Sequence, residues 1–458
     1  MSTLTPSLSR LSQAVGAPPP TRDARFSRLV IDSRQVAPGD LFVALTGGQQ
    51  DGHCYVEAAA AAGAVGALVQ RPVAIDLPQV VVSDTLLALQ QWGAACREAY
   101  AGPVIGVTGS NGKTTTKQLL AAVCAIRGEV LATEGNLNNH IGVPLTLARL
   151  RDTQQTAIIE MGANHAGEIA QLCGWAQPQI GVVTQAGDAH LEGFGSREGI
   201  AHAKGEMFAA LGPAGLAIIN ADDRFAPLWR ELAGPASQIQ FGLCCRADVQ
   251  AVEVELDATR TTFTLVTPEG SARVRLPLPG QHNVMNALAA AAAGCALGLA
   301  VDEIAAGLGR VELTQGRLKL FTSAAGACIA DDSYNANPTS MRAGVDWLSR
   351  QPGQRWAVLG HMAELGRDSA ALHREIGAYV AEHGIERCIA VGAAARGIAE
   401  GFGARAEWLP DAAAAVAAVG TPGADVTVLV KGSRSARMEQ VVAALTGAPV
   451  NGVQEGVH

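Results

Sequence analysis

Between Val104 and Leu120 the chain reads VIGVTGSNGKTTTKQLL: an apolar run, a glycine-rich turn, a lysine with three threonines, then a helix-like pattern. Residue types in that order make a phosphate cradle. Bare backbone N–H groups in a glycine turn and at a helix N-terminus favour a polyphosphate. Lys113 would neutralise β- and γ-phosphate oxygens, and Thr114 would reach Mg²⁺. Gly109, Ser110, Asn111, Gly112 and Thr115 complete the loop. The spacing departs from the usual P-loop. Val107 stands where glycine or alanine is usual, and the glycines fall at Gly106, Gly109 and Gly112.

Other candidates lie downstream. Glu160 ends the apolar run TAIIE. A carboxylate at a strand's carboxyl end beside a P-loop suits a Mg²⁺ ligand; an exposed strand-end glutamate is the plain alternative. His190 follows IGVVTQAGDA in a similar position, where a structural histidine is the alternative. Lys204 falls inside the helix pattern GIAHAKGEMF, where a solvated lysine is the ordinary reading. Asn283 and Asn286 in GQHNVMNALAAA could bond a base or ribose, or could cap the alanine-rich helix.

These residues need elements to hold them. The 458 residues correspond to roughly three domains at ~150 residues each. With 48% hydrophobic and 17% charged residues the chain has ample core and is no disordered protein. A net charge of −8 excludes a nucleic-acid-coating surface, so an anionic ligand must be held by local cations and backbone amides. The nine cysteines show no CxxC or metal-ligand spacing and read as mostly buried free thiols of a cytoplasmic protein. No signal core opens the chain. The apolar run Ala287–Ala300 reaches only about 21 Å as a helix, short of a ~30 Å bilayer core, and reads as a buried helix.

Strand-like and helix-like stretches alternate throughout. RLVIDSR, DLFVAL and QVVVSD read as strands of a small first domain, residues 1–102, with a helix capped at Asp84 or Thr85. VIGVT, AIIEMG, IGVVTQAG and LAIINADD read as a parallel sheet in a central domain, 103–315, with an antiparallel appendage over about 248–278. CIADD, WAVLG, CIAVG and VTVLVKG read as a second Rossmann-like sheet, 316–458. The fold class is α/β in three domains.

The stretches TGSNGKTTT, EGNLNNHIGVP, IIEMGANHAGEI, AHLEGFGS, AKGEMF, GQHNVMNALAA, GRL and DDSYNANPTSM, in this order across the chain, resemble the Mur ligases. These are ATP-dependent amide-forming enzymes of peptidoglycan synthesis. YNANPTSM, MAELG and LVKGSRSARME, with the absence of a DNPR signature, resemble the branch that joins D-alanyl-D-alanine to UDP-N-acetylmuramoyl-tripeptide. DSRQVAPGDLFVAL with DGHCYVEAA resembles the UDP-sugar domain of that branch and its neighbour. One departure is His361 in LGHMAELG, where the family usually has aspartate.

The resemblance implies roles. Lys113, Thr114 and Glu160 would serve the phosphates and a first Mg²⁺. His190 and Lys204 would serve a second, with Lys204 carbamylated. Asn283 and Asn286 would meet adenine and ribose. Arg317 and Asp332 (or its neighbour Asp331) would reach the nucleotide from the third domain. Ser33 and Arg34 would lie near the UDP group. Asn138, Tyr334, Asn335, Asn337 and Arg434 would line the substrate side, with Arg437 an alternative to Arg434 for the acceptor carboxylate. It implies a cytoplasmic monomer without membrane or nucleic-acid partners. Three other classes keep the P-loop: a folate-type polyglutamate ligase, a switch or motor ATPase, and a nucleotide-binding scaffold. The first would lack the UDP-type domain, and the last has no use for Glu160, His190 and Lys204 together.

Overall fold

Strands of two to eight residues form three main sheets and a two-stranded ribbon, Thr46–Gly47 with Gln50–Asp51, in a computed structural model that describes residues 5–47, 50–188, 191–312 and 315–447. The first sheet is parallel, in the order Leu29–Val30, Leu41–Val43, Gly66–Val69, Gln79–Val81. The expected strand through RLVIDSR stops at Val30. Asp32 accepts the Arg34 N–H at 3.0 Å and caps a 3₁₀ turn, Ser33–Gln35, so a side-chain cap overrides the apolar pattern. Asp84 caps the helix Thr85–Ala99 by accepting the N–H groups of Leu86 and Leu87 at 2.8 and 3.0 Å.

The central sheet has nine strands. Val249–Leu256, Ser237–Gly242, Leu216–Asn220, Ile180–Val183, Val104–Thr108, Thr156–Glu160 and Val130–Ala132 run parallel in that order. Thr261–Thr267 and Gly270–Leu276 then add antiparallel. The appendage expected over about 248–278 continues the sheet at its Val249–Leu256 edge, joined by a parallel pairing of Phe241 and Gly242 with Val249 and Gln250 before the antiparallel strands. The alanine-rich run forms the helix Gln281–Ala296, buried nearly all round. Small side chains let it pack closely on the sheet and against the neighbouring helix Lys113–Cys124. Among the described residues no helix is long and apolar enough to cross a membrane.

The third sheet runs Lys319–Thr322, Cys328–Asp332, Val426–Lys431, Gln354–Gly360, Arg387–Val391, Glu407–Leu409, parallel except for the first strand. All nine cysteines are free thiols. Four are buried, two half-buried and three exposed, so the expected burial fails at Cys54, Cys244 and Cys245. The last two follow a strand in a turn whose N–H groups are given to Asp222.

Val104–Thr108 sits between Ile180–Val183 and Thr156–Glu160, so successive connections leave it on opposite sides. That is the switch point at which open α/β sheets hold ligands. The first sheet is pinned beside it. Arg97 donates to the carbonyls of Ala176, Gln177 and Tyr100 at 2.7, 2.9 and 3.1 Å. Gly93 lets the helix Thr85–Ala99 lie directly on Pro144; a Cβ there would stand 2.8 Å from the proline Cα. Gly93→Ala gains helix propensity of about 1 kcal/mol, but overpacking against backbone costs about 1–3 kcal/mol. The variant should therefore melt lower, as scanning calorimetry would read; a higher melting temperature would mean that the two helices separate freely.

Candidate active site

The glycine spacing follows from packing. Gly106 and Gly181 lie against Met207, where a Cβ would come within 2.8 and 2.9 Å of its side chain. Gly109 has φ +141° and faces Thr184 Oγ1; Gly112 has φ +81° and faces Asn286 Oδ1. No side chain caps the helix Lys113–Cys124 at Gly112, so its first N–H groups point into the cleft as an anion site. Lys113 folds back to donate to the carbonyls of Gly109 at 2.7 Å and Ser110 at 3.4 Å. Burial pushes its ammonium down to about 8; Glu160 opposes the shift and Arg317 adds to it. Ser110 donates to the Gly187 carbonyl at 3.1 Å, and Thr115 lines the cleft.

Glu160 ends its strand buried, not exposed. Its Oε1 accepts from Asn138 Nδ2 at 2.8 Å and Thr114 Oγ1 at 3.3 Å. Its Oε2 lies 3.3 Å from Lys117 Nζ, within ion-pair range but without hydrogen-bond geometry, and accepts no hydrogen bond. Burial alone would raise its pKa. Lys117, Lys113, the Asn138 bond and Arg317 outweigh burial and hold it below the ordinary value. An ionised, partly unsatisfied carboxylate beside a threonine hydroxyl fits Mg²⁺, a hard cation that takes few protein ligands and fills its shell with water and phosphate oxygens. Among the described residues no group of three His, Cys, Asp or Glu side chains gathers for a metal. His190 lies outside the described residues.

Lys204 is no solvated lysine. It is 1% exposed in the helix Arg197–Ala209. Its Nζ donates to the Ala163 carbonyl at 3.1 Å and lies 5.0 Å from the centre of the Phe194 ring. Among the described residues no carboxylate stands within ion-pairing distance. Burial pushes its ammonium down to about 7; Lys113 adds to the shift, and Glu168 and Glu206 oppose it.

Asn283 and Asn286 are buried at the start of their helix. Asn286 donates to Asn283 Oδ1 at 3.2 Å, Asn283 donates to the Pro279 carbonyl at 2.8 Å, and both line the cleft. From the third region Arg317 donates to Thr114 Oγ1 at 3.2 Å and lies 4.0 Å over the Tyr334 ring. Of the adjacent aspartates, Asp332 lines the cleft, accepting from Lys431 Nζ at 2.6 Å. Asp331 is fully buried, bonded to Ser333 and the Gly316 N–H, and raised in pKa by burial. Asn337 reaches Asn111, while Asn335 and Tyr334 line the cleft. Arg434 and Arg437 lie at its edge, Arg434 paired with Glu439 at 3.2 Å. His361 stands outside the lining and shares a 2.8 Å hydrogen bond with Ser435 in the same basic turn.

Most of these residues line one cleft of about 2220 Å³, with walls from all three regions; Gly109, Lys204 and Asp331 lie behind the lining. Small-ligand pockets usually measure about 300–1,000 Å³, so this one has room for more than one substrate. Arg34 lines its far end; Ser33 does not.

Comparison with known proteins agrees with this geometry. Residues 25–121 match the Mur ligase family catalytic domain, 107–294 the Mur ligase middle domain and 316–434 the Mur ligase glutamate ligase domain. The chain is 42% identical over 442 residues, 96% of its length and 98% of the relative's, to the UDP-N-acetylmuramoyl-tripeptide–D-alanyl-D-alanine ligase of Escherichia coli. The chain belongs to the Mur ligase family. Among solved structures it is similar to MurF from Acinetobacter baumannii, with TM-score 0.89 and 37% identity, covering 97% of this chain and 100% of that one. It is also similar to a MurF ligase from Thermotoga maritima in complex with ADP, with TM-score 0.78 and 26% identity over 91% of this chain and 96% of that one.

Two buried cations escaped the sequence reading. Lys117 follows Lys113 by one helical turn, the i,i+4 spacing that puts both on one face. Lys431 closes the buried run VTVLV as Glu160 closes TAIIE. Both are visible once a charge at the end or on the inner face of a buried element is taken as paired. Lys117→Met should lower stability in urea unfolding by about 3 kcal/mol, because it leaves a buried carboxylate short of a cation. Adding Glu160→Gln should recover part of that, since a neutral amide needs no cation. Simply additive losses would show that the two side chains do not interact.

Proposed function

We propose that this chain is an ADP-forming ligase that joins the amine of D-alanyl-D-alanine to the terminal carboxylate of UDP-N-acetylmuramoyl-tripeptide, as a cytoplasmic step of peptidoglycan precursor synthesis. The supporting observation is the single cleft that runs from Arg34 past the phosphate loop to Arg434, large enough for nucleotide, UDP-peptide and acceptor together. The full-length similarity to a relative named for this reaction supports the same reading. One chain supplies the walls of the cleft, which supports a monomeric enzyme.

A carboxylate has no leaving group for amide formation at neutral pH. Its oxygen attacks the γ-phosphorus of ATP, the new O–P bond forms, the bond to the β-phosphate oxygen breaks, and ADP departs. The acceptor amine then attacks the acyl carbon, loses a proton, and the C–O bond breaks to release phosphate. The first step brings two anions together. Lys113, Arg317 and the uncapped helix N-terminus offset that repulsion with charge fixed in advance. When bound, Mg²⁺ supplies Lewis-acid charge on the phosphate oxygens. Glu160 and Thr114 would hold one ion, and His190 with Lys204 a second. Asn283 and Asn286 face the base and ribose, with Asp332 closing from the third region. Gly109, Ser110, Asn111, Gly112 and Thr115 cradle the phosphates. Arg34 and Asn138 serve the UDP-peptide side, and Tyr334, Asn335, Asn337 and Arg434 the acceptor side.

Carbamylation of Lys204 follows from its setting. A carbamate turns an unpaired buried cation into an anionic ligand, which a polyphosphate–metal site needs. Only the neutral amine attacks CO₂. At pH 7.5 an ordinary lysine is neutral in about one molecule in a thousand, whereas burial makes a large share of Lys204 neutral. Activity should therefore rise with bicarbonate, and Lys204→Ala should be inactive and regain activity with added acetate or other short carboxylates. The carbamate should be lost as pH falls below about 7, where the amine regains its proton. An unmodified lysine in intact-protein mass spectra under bicarbonate, at full activity, would sink the idea.

The reaction itself is tested by omission. Phosphate release should need ATP, Mg²⁺, a UDP-muramoyl tripeptide and D-alanyl-D-alanine together, with mass spectrometry showing the amide product. D-glutamate or diaminopimelate accepted in place of the dipeptide would move the chain to another step of the pathway. Equal phosphate release without any acceptor would make it a simple ATPase.

A further inference from the structure

The third region touches the phosphate loop at two points that bracket Lys113. Arg317 Nη2 donates to Thr114 Oγ1 at 3.2 Å on one side. Asn337 Nδ2 donates to Asn111 Oδ1 at 2.7 Å on the other. Backbone chemistry fixes the second contact's direction. The Ser340 N–H can only donate, and it donates to Asn337 Oδ1 at 2.9 Å, capping the helix Pro338–Ser349. The other end of the Asn337 amide is therefore its nitrogen, and Asn111 must offer oxygen to it. That turns Asn111 Nδ2 away, buried and without an acceptor. It borders Gly187, where a Cβ would stand 3.4 Å from this nitrogen. A buried donor left unpaired is costly, and native proteins rarely keep one without a use. This one belongs to the loop that cradles phosphate, and with its nitrogen unpaired the Asn111 amide is oriented through its oxygen by Asn337.

We propose that Asn337 is a positioning residue. Docking of the third region locks the Asn111 amide, and with it the phosphate loop between Gly109 and Lys113, in one orientation, so that phosphoryl transfer waits for the acceptor-side region to arrive. Asn337 acts through Asn111 and through no contact of its own with the reacting atoms. The proposal rests on the ligase reading above and adds to it an order of events: cap, amide, phosphate.

Asn337→Ser separates this role from helix capping. Serine caps as well as asparagine, carries no charge and is too short to reach Asn111. The variant should melt with the parent and bind ADP with the same affinity by calorimetry. Its kcat in the complete reaction should fall ~10-fold or more, with the KM for ATP little changed. In an Asn111→Ala background the same substitution should cost nothing further, because the amide it orients is gone. Turnover within about twofold of the parent, or an equal loss in both backgrounds, overturns the proposal. A lower melting temperature makes Asn337 a cap alone and overturns it too. A parent protein that forms no amide overturns the ligase reading, and this proposal with it, and is told apart by the parent's own product assay.

Discussion

One buried carboxylate sets the terms for the rest of the site. Glu160 is held ionised where burial opposes charge, and it stays so because four groups from three segments, Lys117, Lys113, Asn138 and Arg317, outweigh burial. Lys117 and Thr114 come from the phosphate-loop helix, and Asn138 from the loop that leads to the helix Gly142–Leu147. That helix lies on Thr85–Ala99 of the first region through the Gly93–Pro144 contact. Removing any of these supports affects more than a single bond, since a buried charge that loses its partners is far costlier than an apolar gap. The geometry of the phosphate loop and the seating of the first region are thus tied to the same carboxylate.

The parts of this arrangement written locally were legible in the sequence. The phosphate loop needs only consecutive residues: a strand, glycines that accept positive φ, and a helix start. The three alternating α/β units follow from apolar periodicity. Glu160 stood out because a charge ends an apolar run. What escaped depends on partners far away in the chain. Lys204 reads as an ordinary helical lysine until Ala163 and Phe194 close over it. Asp331 and Asp332 are equivalent as letters, yet strand alternation sends one into the core and the other into the cleft. The RLVIDSR run failed for a local reason of a different kind, because Asp32 offers the backbone a competing cap.

The family departures also have physical accounts. Gly106 is glycine because Met207 packs on it, and Val107 fills the buried position where glycine is usual. His361 keeps a hydrogen bond to Ser435, and burial holds its imidazole toward the neutral form. The basic turn Arg434–Ala436 is therefore braced by a neutral ring where the family usually has a carboxylate. Arg434 in the same turn pairs with Glu439 at 3.2 Å.

The two junctions between the three units differ in kind. The first and central units meet through helix on helix, with glycine against proline and a buried arginine that donates to three carbonyls. Such a contact has one geometry and resists shear. The central and third units meet through side-chain amides, hydroxyls and an indole: Asn111 with Asn337, Thr114 with Arg317, Asp188 with Thr339, the Ala258 carbonyl with Trp347. Water can replace each of these partners at little cost, which makes this junction the one that can open and re-form. Two of these contacts fall on the phosphate loop itself. A chain that must shield an acyl phosphate from water, yet admit a second substrate, gains from this asymmetry. The rigid junction fixes where the carboxylate lies, and the polar one reports, at the phosphate, that the acceptor side is in place.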